Sequence, residues 1–247
     1  MSVPVRFSVA IPAFNEARYL PQLLDSLDIA RAGFPSGAAA IEIVVGDNSS
    51  TDDTAALAAL RGCTVVPVAK RAIAAARNGA ARAALGEILC FVDADSIVHP
   101  TVFTEVDRVM RAGRCIVGAT GVKMERMSAG IWATWAIMVP MTRVFGMDSG
   151  VVFCRRVDFD AVGGYREELL AGEDVDFLYR LKQLGRKHGQ RFMRTAGART
   201  ITSTRKFDRH GDWHYLTQMS TLPLRMLFAR ASAERRIRRY WYEDRSG

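Results

Sequence analysis

The chain has 247 residues, 49% of them hydrophobic and 24% charged. This suits a folded α/β protein with a sizeable core and excludes a disordered or fibrous chain. Its formal net charge of +8 favours anionic partners: nucleotide phosphates, nucleic acid or an acidic membrane surface.

The cysteines Cys63, Cys90, Cys115 and Cys154 form no C-x-x-C pair and have mostly apolar neighbours. They read as buried free thiols of a reducing compartment, not as a disulfide or zinc framework. The first apolar run is broken at Pro12, Asn15 and Glu16, which does not fit a signal peptide. A cytoplasmic location follows, open to peripheral contact with the inner face of a membrane. No run reaches the roughly 18–20 apolar residues of a membrane span. The nearest, Ala129 to Met141, contains Trp132, Trp135 and Pro140. It reads as a buried helix or as a helix lying in the membrane interface.

In chain order, Phe7–Ile11, Ile41–Val45, Thr64–Val68 and Ile88–Val92 read as strands, being short, β-branched and bounded by turn or cap residues. Glu16–Arg31, Asp52–Arg61 and Ala72–Leu85 between them read as helices. The alternation predicts a mainly parallel, Rossmann-like sheet with helices on both faces. Farther on, Ile116–Ala119 and Val151–Cys154 read as strands. Thr101–Ala112, Ala129–Phe145, Val175–Leu184 and roughly 213–231 read as helices. With no repeat and no low-complexity linker, a single domain is expected. Residues 1–115 would form a nucleotide-binding half, and 116–247 an acceptor-side half ending in a basic tail.

Open parallel sheets bind ligands at the C-terminal ends of their strands, and three polar segments fall there. The first is Pro12–Glu16. The second is Asp47–Thr54, where Asp47 and Asn48 can bond a base edge or ribose. Ser50 and Asp53 stand there in capping-box spacing. The third is Asp93-Ala94-Asp95. On an extended strand its two carboxylates share a face, with Cα atoms about 6.6 Å apart. Such a pair is tolerable around a divalent cation such as Mg²⁺ or Mn²⁺, and its structural alternative is a helix cap.

Lys70, Arg71 and then Arg77 accompany a helix otherwise rich in alanine, with Arg77 within it. Arg71 or Arg77 could donate two hydrogen bonds to a diphosphate. Downstream, Gly163-Gly164-Tyr165 precedes Glu173-Asp174-Val175-Asp176 at the start of a helix. Acidic residues there balance the helix dipole, and Asp174 can also serve as a general base.

Together these motifs resemble the family 2 glycosyltransferases of the GT-A fold. The matching pieces are Ile11–Glu16, Asp47–Asp52, Ala76-Arg77-Asn78-Gly79, Asp93-Ala94-Asp95, and Gly163-Gly164-Tyr165 with Glu173-Asp174, over roughly residues 6–185. The resemblance implies a nucleotide-diphospho-sugar donor and an acceptor hydroxyl. Pro12, Asn15 and Glu16 would line the nucleotide pocket, with Asp47 or Asn48 on base or ribose. Asp93 would touch ribose or metal and Asp95 the metal. Asp174 would be the base, supported by Glu173. A downstream His, either His210 or His214, would complete the metal site. Ser203, Arg205 and Lys206 resemble a basic loop over the diphosphate.

Transfer would be a direct, inverting displacement. One rival is a sugar-nucleotide nucleotidyltransferase, which would want a Gly-rich basic loop where Pro12–Glu16 stands. Another is a non-catalytic membrane or nucleic-acid binding module, suggested by the arginines of residues 225–239. Clustered carboxylates oppose binding to a phosphate backbone, so nucleic acid is not an expected partner.

Overall fold

The computed structural model describes residues 4–145, 149–169 and 172–213. The chain forms two compact units. One is Met1–Lys123 with Asp148–Ile201, the other Met124–Met147 with Thr202–Gly247. The helix expected near 213–231, the basic tail and His214 lie outside the described residues.

The first unit starts with β1 (Phe7–Ala13), α1 (Leu20–Ala32), β2 (Ile41–Asp47), α2 (Thr54–Leu60), β3 (Thr64–Pro67), α3 (Ile73–Ala83) and β4 (Ile88–Phe91). It continues through β5 (Ser96–Ile97), α4 (Val102–Arg111), β6 (Cys115–Ala119) and β7 (Val122–Met124), whose end marks the unit boundary. The second unit carries α5 (Ala129–Phe145). The chain then returns to the first unit for β8 (Val152–Arg155), α6 (Arg156–Ala161), α7 (Glu173–Lys187), β9 (Arg191–Arg194) and β10 (Thr200–Thr202). It re-enters the second at α8 (Arg205–His210).

Among the described residues, seven strands form the main sheet in the order β3-β2-β1-β4-β8-β6-β9. Of the six neighbouring pairs, β1 with β2 and β4, β2 with β3, and β6 with β9 are parallel, and β8 alone runs against its neighbours, β4 and β6. The expected mainly parallel α/β sheet is therefore present. A smaller sheet has the order β5-β10-β7.

Strand alternation sends Phe7, Val9, Ile11 and Ala13 to one face, where they pack with Leu20, Leu23, Leu24 and Leu27 of α1 and Phe103 and Val106 of α4. The opposite face carries α3, whose Ala74, Ala75 and Ala76 are buried. There Gly46 lets the helix backbone rest on the sheet, since a Cβ at Gly46 would lie 2.2 Å from the Ala76 carbonyl oxygen. Phe91, Phe159, Tyr165 and Phe177 fill the next part of this face with stacked and edge-on rings.

Several expectations need correction. The strand β3 is half exposed, not covered on both faces, because it is the edge of the sheet. β1 runs on to Ala13, so Pro12 is a strand residue. α1 begins at Leu20, with Pro21 in its first turn where a missing N–H costs nothing. Ser50 and Asp53 form no capping box. Asp52 does that work by accepting the N–H groups of Thr54 at 3.0 Å and Ala17 at 3.1 Å. Burial opposes ionisation of Asp52, but these bonds and the Thr54 hydroxyl outweigh it and hold the carboxyl below its ordinary value. The cysteines are buried and free as expected, and burial pushes the Cys63 thiol up to about 11 and the Cys115 thiol to about 12.

Gly46→Ala should destabilise the protein, because the clash is with a backbone carbonyl that no rotamer change relieves. The expected loss is about 1–3 kcal/mol, read from urea unfolding. A variant as stable as the parent would show that α3 can lift from β2 freely.

Candidate active site

The register of the parallel strands brings their C-terminal ends to one edge. Ala13 pairs with Asp47, Asp47 with Pro67, and Ala10 with Phe91. The loops beyond β1, β2 and β3 are then tied by side chains. Asn15, with a left-handed φ of 52°, accepts the Thr51 N–H at 2.8 Å and donates to the Thr51 hydroxyl at 3.2 Å. The Glu16 N–H donates to the Thr54 hydroxyl at 2.8 Å, and its carbonyl accepts the Tyr19 and Leu20 N–H groups. Asn48 donates its side-chain amide to the carbonyls of Val68 at 3.0 Å and Lys70 at 2.7 Å.

Both amide donations of Asn48 thus hold two loops together. Asp47 differs. Its Oδ2 accepts the Ser50 N–H at 3.4 Å, while its Oδ1 is buried with no partner among the described residues. A buried carboxylate oxygen without a donor is costly. It marks a place where a ligand N–H or O–H fits.

Asp93-Ala94-Asp95 is a turn, not strand. β4 stops at Phe91, and the Asp93 carbonyl accepts the Ser96 N–H at 3.1 Å. Nor is it a cap, since α4 starts only at Val102. Buried Val92 and Ala94 flank Asp93 and anchor the turn, leaving the Asp93 side chain 53% exposed.

The central contact of the site is made by Arg77 of α3. Its Nη1 donates to Glu173 Oε1 at 2.9 Å and its Nη2 to Asp93 Oδ1 at 2.9 Å. The guanidinium also lies 5.3 Å from the centroid of the Tyr165 ring. Burial alone would weaken the Arg77 cation, but Asp93, Tyr165, Glu173 and Asp174 more than compensate and keep it charged. Burial pushes the Glu173 carboxyl up, Arg77 pulls it down, and neighbouring Asp174 adds to the rise. The sequence suggested that Arg77 could grip a diphosphate. Its fork is instead filled by these two carboxylates, so it joins the Asp93 turn to the start of α7.

Asn78, next in α3, clamps the following segment. It donates to the Tyr165 carbonyl at 2.8 Å and to Glu167 at 2.9 Å, and accepts the Tyr165 N–H at 2.8 Å. Gly164 must be glycine here. Its φ is +69°, and a Cβ would lie 2.7 Å from Asn78 Oδ1. Asn78, Tyr165 and Glu167 were absent from the sequence-based site. The Ala76–Gly79 and Gly163–Tyr165 motifs carried the signal, as partners of each other rather than of a ligand.

Asp174 is exposed at the start of α7, and its Oδ1 accepts the Val175 N–H at 2.8 Å. Arg71 is exposed, with its guanidinium 4.1 Å from the Phe14 ring centroid. Lys70 pairs with Glu167 at 3.3 Å. Pro12 is buried in β1 opposite Gly46. Arg205 and His210 belong to α8 of the second unit. The basic loop expected at Ser203–Lys206 is therefore partly helix, and the His210 side chain lies outside the described residues.

Among the described residues, no group of three or more His, Cys, Asp or Glu is arranged to hold a metal ion. The hard oxygen donors of Asp93 and Asp95 still suit Mg²⁺ or Mn²⁺, which take one or two carboxylates and fill the rest with phosphate oxygens and water. Asp93, Glu173 and Asp174 all favour the charged form of Arg77.

Arg77→Leu should strand Glu173, whose side chain is only 10% exposed. Breaking such a pair costs about 3 kcal/mol. Without Arg77 the Glu173 carboxyl rises further above its unfolded value, so the folded state takes up a proton first. The variant should therefore regain stability as pH falls from neutral through that raised value. Urea unfolding at several pH values reads this, and a loss independent of pH would contradict it.

Comparison with known proteins identifies the family and the fold. The family described as Glycosyl transferase family 2 matches residues 8–150. Uncharacterized glycosyltransferases of Mycobacterium tuberculosis and Mycobacterium bovis are 32% identical over 105 residues, 41% of this chain and 44% of theirs. The aligned part therefore spans less than half the length of these relatives. Among solved structures, Staphylococcus aureus TarS 1–349 in complex with UDP-GlcNAc has a TM-score of 0.63 at 21% identity, covering 81% of this chain and 59% of TarS 1–349. Mannosyltransferase PcManGT of Pyrobaculum calidifontis, in complex with GDP-Man and Mn²⁺, has a TM-score of 0.64 at 18% identity, covering 81% and 57%. Glucosyl-3-phosphoglycerate synthase of M. tuberculosis, in complex with Mn²⁺, UDP and glucosyl-3-phosphoglycerate, has a TM-score of 0.58 at 21% identity, covering 84% and 75%. With the family match spanning more than half of the chain, and with the parallel sheet and loop cluster described above, this chain belongs to glycosyl transferase family 2 and has the GT-A fold.

Proposed function

We propose that the protein moves a sugar from a nucleotide diphosphate donor to an acceptor hydroxyl, with inversion and with a divalent cation. The observation that carries this reading is the Arg77 fork, which ties the Asp93 turn to the Glu173-Asp174 helix start. Leaving-group and acceptor chemistry then share one corner of the sheet edge.

In this reading Asp47 Oδ1 accepts an N–H of the base, which would satisfy its buried oxygen. Pro12, Asn15, Glu16 and Asn48 shape the nucleotide pocket, chiefly by fixing the loops that line it. Asp93 and Asp95 hold Mg²⁺ or Mn²⁺. The cation, when bound, neutralises charge that develops on the diphosphate. Arg71 adds a donor to the same group. Asp174 takes the proton of the acceptor hydroxyl as it attacks the anomeric carbon. Glu173, gripped by Arg77, holds the first turn of α7 in place. Donor chemistry falls to residues 1–115 and acceptor binding to the remainder. The cell location is cytoplasmic, with peripheral contact at the inner, anionic face of a membrane.

PcManGT and glucosyl-3-phosphoglycerate synthase hold Mn²⁺ together with GDP-Man or UDP in their solved complexes, which supports the choice of ion and donor class.

Asp95→Ala and Asp174→Ala should each abolish transfer. Nucleotide binding in the presence of Mn²⁺ should weaken mainly in Asp95→Ala. A thermal-shift panel of UDP and GDP with Mg²⁺ or Mn²⁺ measures this, because a ligand at a hundred times its Kd adds about 2.7 kcal/mol to stability. Full turnover by Asp174→Ala would remove it as the base. Release of pyrophosphate from a nucleoside triphosphate and a sugar phosphate would favour a nucleotidyltransferase instead.

A further inference from the structure

We infer that the outward stripe of α5 seats the protein on an anionic lipid surface, with Trp132 and Ile137 entering the headgroup layer. The inference deepens the membrane contact proposed above by naming the element that makes it. It does not depend on the sugar-transfer chemistry.

The stripe is a feature of the second unit alone. Ala129, Trp132, Ala136, Ile137 and Pro140 are exposed and recur at helical spacing. Trp132 is 62% exposed and Ile137 47%, and Met127 just before the helix is also exposed. The opposite side is committed to its own unit, where Gly130, Ile131 and Thr134 are buried. A Cβ at Gly130 would lie 2.7 Å from the Asp212 carbonyl oxygen, so that side is tightly docked. Arg126 reinforces the docking through hydrogen bonds to Asp212 at 2.8 Å and Asp208 at 2.8 Å. The apolar stripe is thus held outward.

A helix at a water-facing surface normally turns a polar face outward. Here residues 127–142 contain no Asp, Glu, Lys or Arg. No described helix is long and apolar enough to cross a membrane, so the stripe fits a helix lying in the interface, where Trp is favoured.

Charge selects the occupant. The second unit holds twelve Lys and Arg against six Asp and Glu, and the first holds twenty-two against twenty. Six of the eight net positive charges therefore sit in the unit that bears the stripe. Near an anionic membrane basic residues are drawn to the negative surface potential, an attraction that salt screens. A second copy of this chain would bring two basic units together, which charge repulsion opposes.

Co-sedimentation of the full chain with phosphatidylcholine vesicles, with and without phosphatidylglycerol, tests the inference. The parent should bind the anionic vesicles and lose binding in high salt. Trp132→Ser with Ile137→Ser should bind at least tenfold more weakly, with an unchanged melting temperature and an unchanged thermal shift on nucleotide addition. In Trp132→Phe, which keeps an apolar ring, binding should persist while quenching of Trp fluorescence by brominated lipid falls. Parent-like binding by the double variant would overturn the inference and assign the contact to the basic tail. Absence of binding by the parent would overturn both the inference and the membrane contact. A dimer lost in the double variant would make a second copy the occupant and overturn the lipid assignment.

Discussion

One guanidinium, held by α3 against the sheet, fixes the geometry of this site. Arg77 bonds Asp93 on one side and Glu173 on the other, each at 2.9 Å. Its side chain is 12% exposed and that of Glu173 10%, so water screens the bond to Glu173 little. The position depends in turn on Gly46, which lets the α3 backbone rest on β2. A bulkier residue at Gly46 would displace Arg77 along with its helix, and the Asp93 turn would lose its tie to α7. A glycine in a strand thereby supports a charge cluster at the sheet edge.

The same economy governs the neighbouring motifs. Asn15, Asn48 and Asn78 spend their side-chain amides on Thr51, on the Val68 and Lys70 carbonyls, and on Tyr165 and Glu167. Loops that carry chemistry must have their own backbone groups satisfied before they can be rigid. Polar residues around the site therefore divide into those that hold loops and those that face a ligand. In the proposed reading Asp47 Oδ1, buried without a partner among the described residues, and Asp174, exposed at a helix start, belong with the second kind.

Much of this was legible in the sequence. The alternation of short β-branched runs with alanine- and leucine-rich helices specified the parallel strands β1 to β4, because that pattern is local. So was the placement of the polar loops, which follows from the direction of parallel strands. The bounds of α5 agree with the sequence reading residue for residue. β9 was missed because Arg191-Phe192-Met193-Arg194 has polar ends and few β-branched residues, and only pairing with β6 makes it a strand. The short strands β5, β7 and β10 fall below the length at which alternation can be read. The roles of Arg77 and Asn78 could not be read either. Their partners lie 16 to 96 residues away, and a motif does not say whether its charge faces a ligand or another motif. Asp93-Ala94-Asp95 was placed correctly at the sheet edge but in a turn, because spacing alone cannot separate a strand end from the bend that follows it.

In the proposed mechanism the Asp93 and Asp95 turn grips a cation jointly with a nucleotide diphosphate. Electron paramagnetic resonance of Mn²⁺ tests it directly, since the free ion gives a sharp signal that binding suppresses. The signal should fall when UDP or GDP and the parent protein are both present, beyond what either produces alone. The same mixture with Asp93→Asn and Asp95→Asn together should leave only the suppression due to free nucleotide. Equal suppression by parent and double variant would mean that these carboxylates do not hold the ion.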